Sequence, residues 1–436
     1  MSEWQKYKLG DILSVKHGYA FKGEYFSEIP TLDILLTPGN FNIGGGFRQG
    51  KLKYYNGDYP PSFVLNEGDV IVTMTDLSKE GDTLGYSAKI PKHDGFRYLH
   101  NQRIGLLQFL SDDFSKDFIY WVLRSREYQK FIVNSATGST VKHTSPSRIC
   151  EYTFTSPDFP TQSAIAEILS SLDDKIELNN KINQELENLA QNLFKRWFID
   201  FEFPNENGEP YKSSGGEMVD SELGEIPKGW EVKTFADVAS VIDCLHSKKP
   251  QILESPTGYR YIQLSNIKDN GLMDLSNQYW ITKEDYEKWI SRIEVREGDF
   301  VITNVGRSGA VSRIPSDVRA AIGRNMTAIR LNEDFNFIGY FSTLVVSDFM
   351  KNEITSKLDS GTILDALNVK NIPKLRFMLP AKINTIQVFE DVVKILWEKM
   401  EMNIKENNYL KSIRDILLPK LISGELEVQT KLSQTT

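Results

Sequence analysis

A chain of 436 residues is long enough for two or three domains, and 40% hydrophobic with 25% charged residues is ordinary for a globular protein. No apolar run reaches the length of a membrane span, and the first residues form no apolar signal segment. The two cysteines, Cys150 and Cys244, are far apart and indicate neither a disulfide framework nor a metal site. These features favour a cytoplasmic protein.

The net charge of −8 would argue against a nucleic-acid partner if it were spread evenly. It is not, because residues 157–229 carry 6 basic and 15 acidic residues, whereas residues 1–156 carry 18 and 17. The composition therefore permits a local basic face on the blocks outside the acidic segment.

The first block, residues 1–156, predicts a mixed α/β domain. It opens with Trp4 in WQKYKLGDILSVKHG, and NEGDVIVT at 66–73 has the pattern of a turn followed by a β-branched strand. Residues 31–55, TLDILLTPGNFNIGGGFRQGKLKYY, have no close counterpart in the second block. The glycines at 44–46 lack the spacing of a phosphate-binding loop, so we interpret them as a flexible loop.

Residues 157–203 predict a long helix, because their apolar residues recur three and four positions apart. A helix of about 40 residues spans about 60 Å, which exceeds a typical globular helix and suits a helical hairpin. Residues 204–229 are rich in Pro, Gly, Ser and acids and predict a linker.

The second block, residues 230–379, repeats the order of the first. It opens with Trp230 in WEVKTFADVASVIDC, and REGDFVIT at 296–303 again predicts a turn and a strand. A second long helix is predicted at 380–425, followed by a polar, flexible tail at 426–436. The chain is therefore an internal repeat of roughly half its length, with two similar mixed α/β domains and diverged loops.

The two predicted helices align with a shift of 224 residues, and the same pair of asparagines interrupts the apolar stripe in each. A polar residue on a coiled-coil seam lowers stability but fixes the register and the partner. We therefore predict that the helices pair antiparallel as a coiled coil. Its seam residues are Leu169, Leu172, Ile176, Asn179, Asn183, Leu186, Leu193, Val393, Leu396, Met400, Asn403, Asn407, Leu410 and Leu417.

Motifs for catalysis are missing. The chain contains no phosphate-binding glycine loop, no H-E-x-x-H, no G-x-S-x-G and no ligand pattern among its five histidines, so no catalytic residue and no metal site is predicted. The segment DYPPSF at 58–63 is only a distant match to the Asn/Asp-Pro-Pro-Tyr/Phe motif of amino-methyltransferases. A binding protein is favoured over an enzyme.

Clusters of cations, amides and aromatic residues in the loops suit DNA. Arg and Lys match guanine edges and phosphates, and Asn and Gln match adenine edges. The candidate DNA-binding residues are Arg48, Gln49, Lys51, Lys53, Arg97, Asn101, Gln102, Arg103, Ser139, Thr140, Lys142, His143, Lys248, Lys249, Ser265, Asn266, Lys268, Asn304, Arg307, Ser308, Arg324 and Asn325.

The whole arrangement resembles the specificity subunits of type I restriction–modification systems. The segments that carry the resemblance are FTSPDFPTQSAIAEILSSLDDKIELNN, LFKRWFIDFEFP, SELGEIPKGWEV and RDILLPKLISGELEV. The match is looser at PAKINTIQVFED, where the family usually has Glu or Gln soon after a proline.

The resemblance implies two target-recognition domains, each reading one half of a split, asymmetric target in double-stranded DNA. It implies an antiparallel coiled coil that sets the spacer between the half-sites. It also implies a chain without catalysis or a cofactor of its own. Two methyltransferase subunits would bring S-adenosylmethionine for adenine methylation, and restriction subunits bound through them would bring ATP and Mg²⁺.

Two other classes of function are also open to the sequence. One is a DNA-modifying enzyme chain with fused recognition domains, against which the missing methyltransferase motifs count. The other is a scaffold whose repeated domains and coiled coil bind proteins instead of DNA.

Overall fold

The computed structural model describes residues 4–50, 52–78, 80–92, 95–359, 365–380 and 383–429. The chain divides into two compact units: residues 1–176 with 409–436, and residues 177–408. Each of the two long helices contributes one part to each unit. No helix among the described residues is long and apolar enough to cross a membrane.

The first unit is a mixed α/β domain. Its strands are β1 Gln5–Lys8, β2 Leu13–His17, β3 Phe26–Ser27, β4 Asp33–Leu35, β5 Lys53–Tyr55, β6 Val64–Leu65, β7 Val70–Thr73, β8 Thr75–Asp76, β9 Ser87–Lys89, β10 Arg97–Leu99, β11 Ile104–Phe109, β12 Lys142–His143 and β13 Thr153–Ser156. Its helices are α1 Leu9–Ile12, α2 Lys116–Val122, α3 Arg126–Asn134, α4 Pro146–Cys150 and the first part of α5, Phe159–Phe194, after which a π-helical turn covers Lys195–Ile199.

The second unit repeats this order. Its strands are β14 Met218–Ser221, β15 Gly224–Pro227, β16 Trp230–Thr234, β17 Ala239–Asp243, β18 Tyr261–Ile262, β19 Gly271–Leu272, β20 Phe300–Thr303, β21 Val311–Arg313, β22 Ala321–Ile322, β23 Met326–Leu331, β24 Leu358–Asp359, β25 Ala366–Leu367 and β26 Arg376–Pro380. Its helices are α6 Phe235–Val238, α7 Lys283–Trp289, α8 Ile338–Val346, α9 Asp348–Thr355 and most of α10, Ile383–Ser423.

The predicted repeat is confirmed in the central sheets and in the pairing of the opening and closing strands. The central sheet of the first unit has the order β2-β11-β7-β9, and that of the second has β17-β23-β20-β21, extended by β19. Val15 lies opposite Leu107 in one sheet and Val241 lies opposite Ile329 in the other, which confirms the matched valines. The opening strand pairs antiparallel with the closing strand in both units, β1 with β13 and β16 with β26.

The two predicted turns before the central strands have the same geometry. The carboxylate of Asp69 accepts a hydrogen bond from the Asn66 amide, and that of Asp299 accepts one from the Arg296 amide, both at 2.8 Å. A glycine with positive φ precedes each aspartate, which is why the turn reads E-G-D. The strands that follow, β7 and β20, are fully buried.

The recognised repeat is more extensive than the sequence indicates. Residues 31–55 do have a counterpart, because Asn40 and Asn266 are both buried and hold equivalent loops. Each Oδ1 accepts from the amide three residues earlier, at 2.8 and 2.9 Å, and each Nδ2 donates to a carbonyl eight residues later, that of Arg48 or Asp274. The similarity lies in these bonds, while the loop residues between them are unrelated, so sequence comparison missed it.

The segment predicted to be a linker contains the hairpin β14-β15. Tyr211 stacks on Phe203 with the ring centroids 4.7 Å apart, and Ile226 and Trp230 are buried in the core of the second unit. Composition marks this segment as turn-rich but does not reveal that its Tyr211 and Ile226 pack against the core of the second unit.

Helix ends complete both cores. In the first unit, Leu418 and Leu421 at the end of α10 pack with Trp121 and Leu169. In the second unit, Phe194 and Phe198 at the end of the first helix pack around Tyr340. These aromatic and leucine residues at the helix ends therefore pack within the chain.

Candidate nucleic-acid interface

Three distant segments of the first unit meet where the central strands end. Beyond β7, the amide of Met74 donates to the carbonyl of Arg103 at 2.9 Å, and its carbonyl accepts from Thr144 at 3.0 Å. Thr75 Oγ1 lies 3.2 Å from His143 Nδ1. Loop 101–103 and the hairpin 137–143 are therefore neighbours. We call Gln102, Arg103, Lys142 and His143 the first strand-end cluster.

The second unit builds the same site with different side chains. The amide of Asn304 donates to the carbonyl of Asn325, and its carbonyl accepts from Leu367, both at 2.8 Å. Lys248 and Lys249 follow the end of β17, where the Cys244 amide donates to Met326 O at 3.3 Å. We call Arg324, Asn325, Lys248 and Lys249 the second strand-end cluster.

Most cluster side chains are available to a ligand. Gln102, Arg103 and His143 are exposed in the first cluster, as are Arg324 and both lysines in the second. The neighbouring Ser139 and Thr140 are also exposed, next to Gly138, whose φ of +95° forms the tight turn of the hairpin. Cations and amides at loop tips can reach phosphates and base edges, whereas the buried strands behind them hold their positions.

Other candidates of the first unit lie elsewhere on its surface. Arg48, Gln49 and Lys53 are exposed on or near strand β5, and Lys51 is outside the described residues. The guanidinium of Arg97 is paired with both carboxylate oxygens of Asp33, at 2.6 and 2.9 Å. Asn101 is half-buried, and its Oδ1 accepts from the Arg103 amide at 3.1 Å, so this side chain shapes the loop of the cluster.

Two asparagines are corrected to structural roles. Asn266 is 2% exposed and closes its loop, as described above. Asn304 is 7% exposed; its Nδ2 donates to Leu367 O at 3.0 Å and its Oδ1 accepts from Thr327 at 3.0 Å. Buried amides need such partners, and these bonds leave neither side chain facing solvent.

Three further candidates of the second unit are engaged at the surface. Arg307 donates to the carbonyls of Leu264 and Ile267 and so supports their loop. Ser308 donates to Asp365 O at 2.7 Å, and Lys268 is paired with an aspartate at 2.9 Å. Ser265 is exposed on the same short helical turn as Leu264.

The repeat could have located residues that the sequence analysis missed. Tyr19 donates its amide to His100 O at 2.8 Å and accepts from the Gln102 amide at 2.9 Å, so residues 17–19 border the first cluster. This segment begins at the end of β2, as the segment with Lys248 and Lys249 begins at the end of β17. The equivalent segment of the second block contains candidate DNA-binding residues, so the repeat also indicates residues 17–19 as candidates.

His100 directly precedes loop 101–103 of the first strand-end cluster and stabilises it through a buried contact. Its ring is fully buried, and Nε2 lies 2.8 Å from the Ile104 carbonyl. Burial lowers the pKa of His100 from 6.5 to about 4, so the ring is neutral and Nε2 is the donor.

Acid is therefore expected to destabilise the first unit through His100. The unfolded chain takes up this proton near pH 6.5 and the folded chain near 4, so the stability is complete above pH 6.5 and is lost as the pH falls through 4. At pH 5 the loss is about 2 kcal/mol relative to pH 7.5. His100→Gln does not titrate, and urea unfolding should show an acid loss about 2 kcal/mol smaller. An equal loss in the variant would contradict this.

The asparagines of the helix seam pair with one another in the second unit. Asn179 Nδ2 donates to Asn407 Oδ1 at 2.9 Å, and Asn403 Nδ2 donates to Asn183 Oδ1 at 2.7 Å. Asn183 lies four residues after Asn179, whereas its partner Asn403 lies four residues before Asn407. The helices are therefore antiparallel. All the predicted seam residues are buried or half-buried.

In the first unit a buried ion cluster joins the helices to the domain. Arg124 is 3% exposed, stacks over Trp121, and donates to Asp173 at 2.5 Å and to Gly44 O at 2.9 Å. Arg414 donates to the other oxygen of Asp173 at 2.7 Å. Burial favours the neutral acid, but the two guanidiniums outweigh it and hold the pKa of Asp173 below its usual range.

One group of possible metal ligands occurs among the described residues. Asp243, Cys244 and His246 have donor atoms within 4.8 Å of one another. The Asp243 carboxylate already contacts His246 at 2.8 Å and Arg292 at 3.5 Å. Because the cation Arg292 already lies beside the Asp243 carboxylate, we keep the expectation that the chain holds no metal.

Comparison with known proteins agrees with these features. Residues 1–188 match the family model described as the type I restriction modification DNA specificity domain. The chain is 28% identical over 319 residues to the MjaIX specificity subunit of Methanocaldococcus jannaschii, covering 73% of this chain and 71% of that one. It is 25% identical to the HindI specificity subunit of Haemophilus influenzae, covering 98% of this chain and 100% of that one.

The fold is also shared with a solved structure. The type I restriction–modification S subunit from M. genitalium matches over 97% of this chain and 96% of its own, with a TM-score of 0.54 and 17% sequence identity. The fold class predicted from the sequence, two similar mixed α/β domains each followed by a long helix, is confirmed. Residues 1–188 thus match the DNA specificity domain of this family, and the chain as a whole is similar to specificity subunits of type I restriction–modification systems.

Proposed function

We propose that this chain reads a bipartite, asymmetric DNA target and directs adenine methylation and restriction by partner subunits. The observation that carries the proposal is the repeated strand-end site. Two equivalent positions present unlike sets of exposed cations and amides: Gln102, Arg103 and His143 in one unit, and Arg324, Lys248 and Lys249 in the other. Two unlike half-sites require domains that present different side chains to the DNA, and the two units do so on the same fold.

Each cluster would use its groups in two ways. The lysines are point charges suited to phosphates, which position the protein on DNA without reading sequence. Arg103 and Gln102 in the first unit, and Arg324 in the second, carry planar groups that can form bidentate bonds with base edges. The buried strands and His100 would keep these side chains in place without contacting DNA.

The coiled coil is proposed to set the unspecified spacer between the half-sites. Sliding the helices by one turn would move them by about 5.4 Å, more than the rise of about 3.4 Å per base pair. The paired asparagines oppose such a slip, because a shifted register would bury their amides without partners.

We propose that the chain has no catalytic site and no cofactor of its own, and that it acts in the cytoplasm. Two methyltransferase subunits would supply S-adenosylmethionine, and restriction subunits joined through them would supply ATP-driven cleavage. In the second unit, α10 offers them an exposed apolar stripe of Val388, Val392, Ile395 and Met402. These residues are four, three and seven positions apart, the spacing that presents one face of a helix to another helix.

A methylation map tests the function most directly. The chain would be expressed with its neighbouring methyltransferase subunit in a host without DNA methylation, and the DNA sequenced for methyladenine. We expect a split motif with a fixed gap. No methylation from a demonstrably assembled complex would reject DNA reading and favour a protein-binding scaffold, whereas methylation by this chain alone would favour the fused-enzyme alternative.

Arg103→Ala and Arg324→Ala are expected to affect different half-sites. If each arginine reads a base, each substitution should cost about 1–3 kcal/mol of binding and relax selectivity in one half-site only. The measurement is binding of the methyltransferase complex to duplexes that differ in one half at a time. Arg148→Ala, an exposed arginine outside both clusters, is the control. Equal losses on all duplexes would instead assign the arginines to phosphates.

Charge on the apolar stripe is expected to block assembly. Ile395→Asp and Met402→Asp alter side chains that are 64% and 62% exposed, so the fold should be retained. We expect each variant to weaken methyltransferase binding at least about tenfold in titrations of the purified subunits, because a buried carboxylate would lack a partner. Lys394→Asp changes an exposed residue about 100° around the helix from Ile395 and tests charge alone. Unchanged assembly in both stripe variants would move the interface elsewhere.

A further inference from the structure

The second unit contains a cavity that the proposed function does not use. Its volume is about 690 Å³, within the range of small-molecule sites. Arg260, Arg296, Arg319 and Trp280 line it. Arg260 precedes β18, whereas the second strand-end cluster lies beyond the far ends of β18 and β22. The cavity is therefore at the opposite edge of this parallel strand pair.

Arg260 is the central group of the cavity. Its guanidinium lies over the ring of Trp280, 5.3 Å from the centroid. Its Nε is buried and has no hydrogen-bond partner among the described residues. Burial lowers the pKa of this guanidinium, which remains charged. A half-buried cation with an unused donor is an unfavourable arrangement unless an acceptor joins it.

The other charges near the cavity are mostly paired. Arg319 lies 3.2 Å from Glu294, and Asp317 lies 3.4 Å from Lys405. Arg260 and Arg296 then share the cavity with two exposed carboxylates, Glu297 and Asp317, of which Asp317 is paired with Lys405. The cavity therefore retains a positive charge beside an aromatic ring.

The first unit has an apolar residue at the equivalent position. Asn40 corresponds to Asn266, and six residues earlier Ile34 corresponds to Arg260. Ile34 is 2% exposed and belongs to the core of the first unit. The repeated frame thus has a buried apolar side chain in one unit and an arginine with an unused donor in the other.

We propose that this cavity, hereafter the Arg260 pocket, binds a phosphate group. Arg260 and Arg296 would donate to its oxygens, since guanidinium groups match phosphate geometry. The phosphate could belong to a free mononucleotide or to the DNA backbone outside the second half-site. Both sources have the same chemistry at the pocket.

The first test is calorimetric titration of the full chain with inorganic phosphate. We expect saturable binding in the natural chain and an affinity at least about tenfold lower in Arg260→Gln, the loss typical of a charged hydrogen bond. Arg292→Gln, an exposed arginine of the same unit outside the pocket, should bind as the natural chain does. No saturable binding, or equal affinity in the two variants, would overturn the proposal.

A second pair of variants avoids changes to Arg260. Gly258 also lines the pocket, and a Cβ built on it meets no atom within 4 Å. Its φ of +83° favours glycine, but Asp and Asn tolerate this region best among the others. Gly258→Asp places a carboxylate in the pocket and should abolish phosphate binding, whereas the isosteric Gly258→Asn should retain it. Equal binding by both would count against the site.

Two further arms identify the source. Tighter binding of adenosine monophosphate than of phosphate would indicate a free nucleotide. If the pocket takes a DNA phosphate, the salt dependence of duplex binding by the methyltransferase complex should fall by about one unit in Arg260→Gln. This duplex arm rests on the proposed function. The phosphate titration needs no DNA, so failure of either idea is visible separately.

Discussion

Replacing Asp173 with alanine is expected to destabilise the first unit by about 3–5 kcal/mol. The substitution removes the only carboxylate shared by Arg124 and Arg414 among the described contacts, and Arg124 is 3% exposed. A buried guanidinium without its counter-charge loses far more than an exposed ion pair ever contributes. The Gly44 loop, which Arg124 also holds, should lose order with it.

Hydrogen exchange of the amides of β7 and β11 in increasing urea measures this loss within the first unit. Glu151→Ala is the matched control, because Glu151 forms an exposed pair with Arg148 and should cost less than about 1 kcal/mol. Since the folded pKa of Asp173 is lowered, its contribution is present above the ordinary carboxyl pKa and is lost as the pH falls below it. A variant as stable as the control would show that the cluster is dispensable.

Inserting one heptad after Lys181 and another after Lys405 is expected to lengthen the spacer of the DNA target without changing either half-site. These positions lie midway between the two asparagine pairs, so insertion on both helices keeps residues on each side in their antiparallel register. Seven residues add about 10.5 Å, the length of about three base pairs. Methylation mapping of the inserted chain with its methyltransferase reads the new gap directly.

A heptad inserted on one helix only is the control for this prediction. It adds the same residues but breaks the asparagine pairing, so assembly or methylation should be lost instead of redirected. An assembled complex with both heptads and the original spacer would exclude the coiled coil as the ruler. The half-site variants at Arg103 and Arg324 test recognition independently of this length.

Sequence patterns predicted the features that depend on periodicity or on a short turn motif. The 224-residue shift of the helices revealed the seam, and its four asparagines pair across the helices in the second unit, Asn179 with Asn407 and Asn183 with Asn403. The two E-G-D turns gave two buried strands, because a capping aspartate and a glycine with positive φ leave a readable signature. Such local patterns can be recognised from the sequence alone.

Features that depend on long-range contacts were not predicted. Asn304 resembled a base-reading amide, but its partners are Thr327 and Leu367, 23 and 63 residues away. Arg124 gave no signal, since Asp173 and Gly44 lie far from it in sequence. An exposed loop and a buried network use the same polar residues, and only the fold distinguishes them.

Asn40 and Asn266 bear on how such a chain acquires a new specificity. Each closes its loop through bonds to backbone atoms, and backbone atoms are present whatever side chains the loop carries. Exposed residues between the fixed points, such as Ile43 and Asp269, are therefore not needed to close the loop, and FNIGGGF and IKDNGLM show how far the two loops have diverged. Variation can accumulate there, or whole loops can be exchanged, while the frame stays constant. A mutable surface is thereby separated from an invariant support.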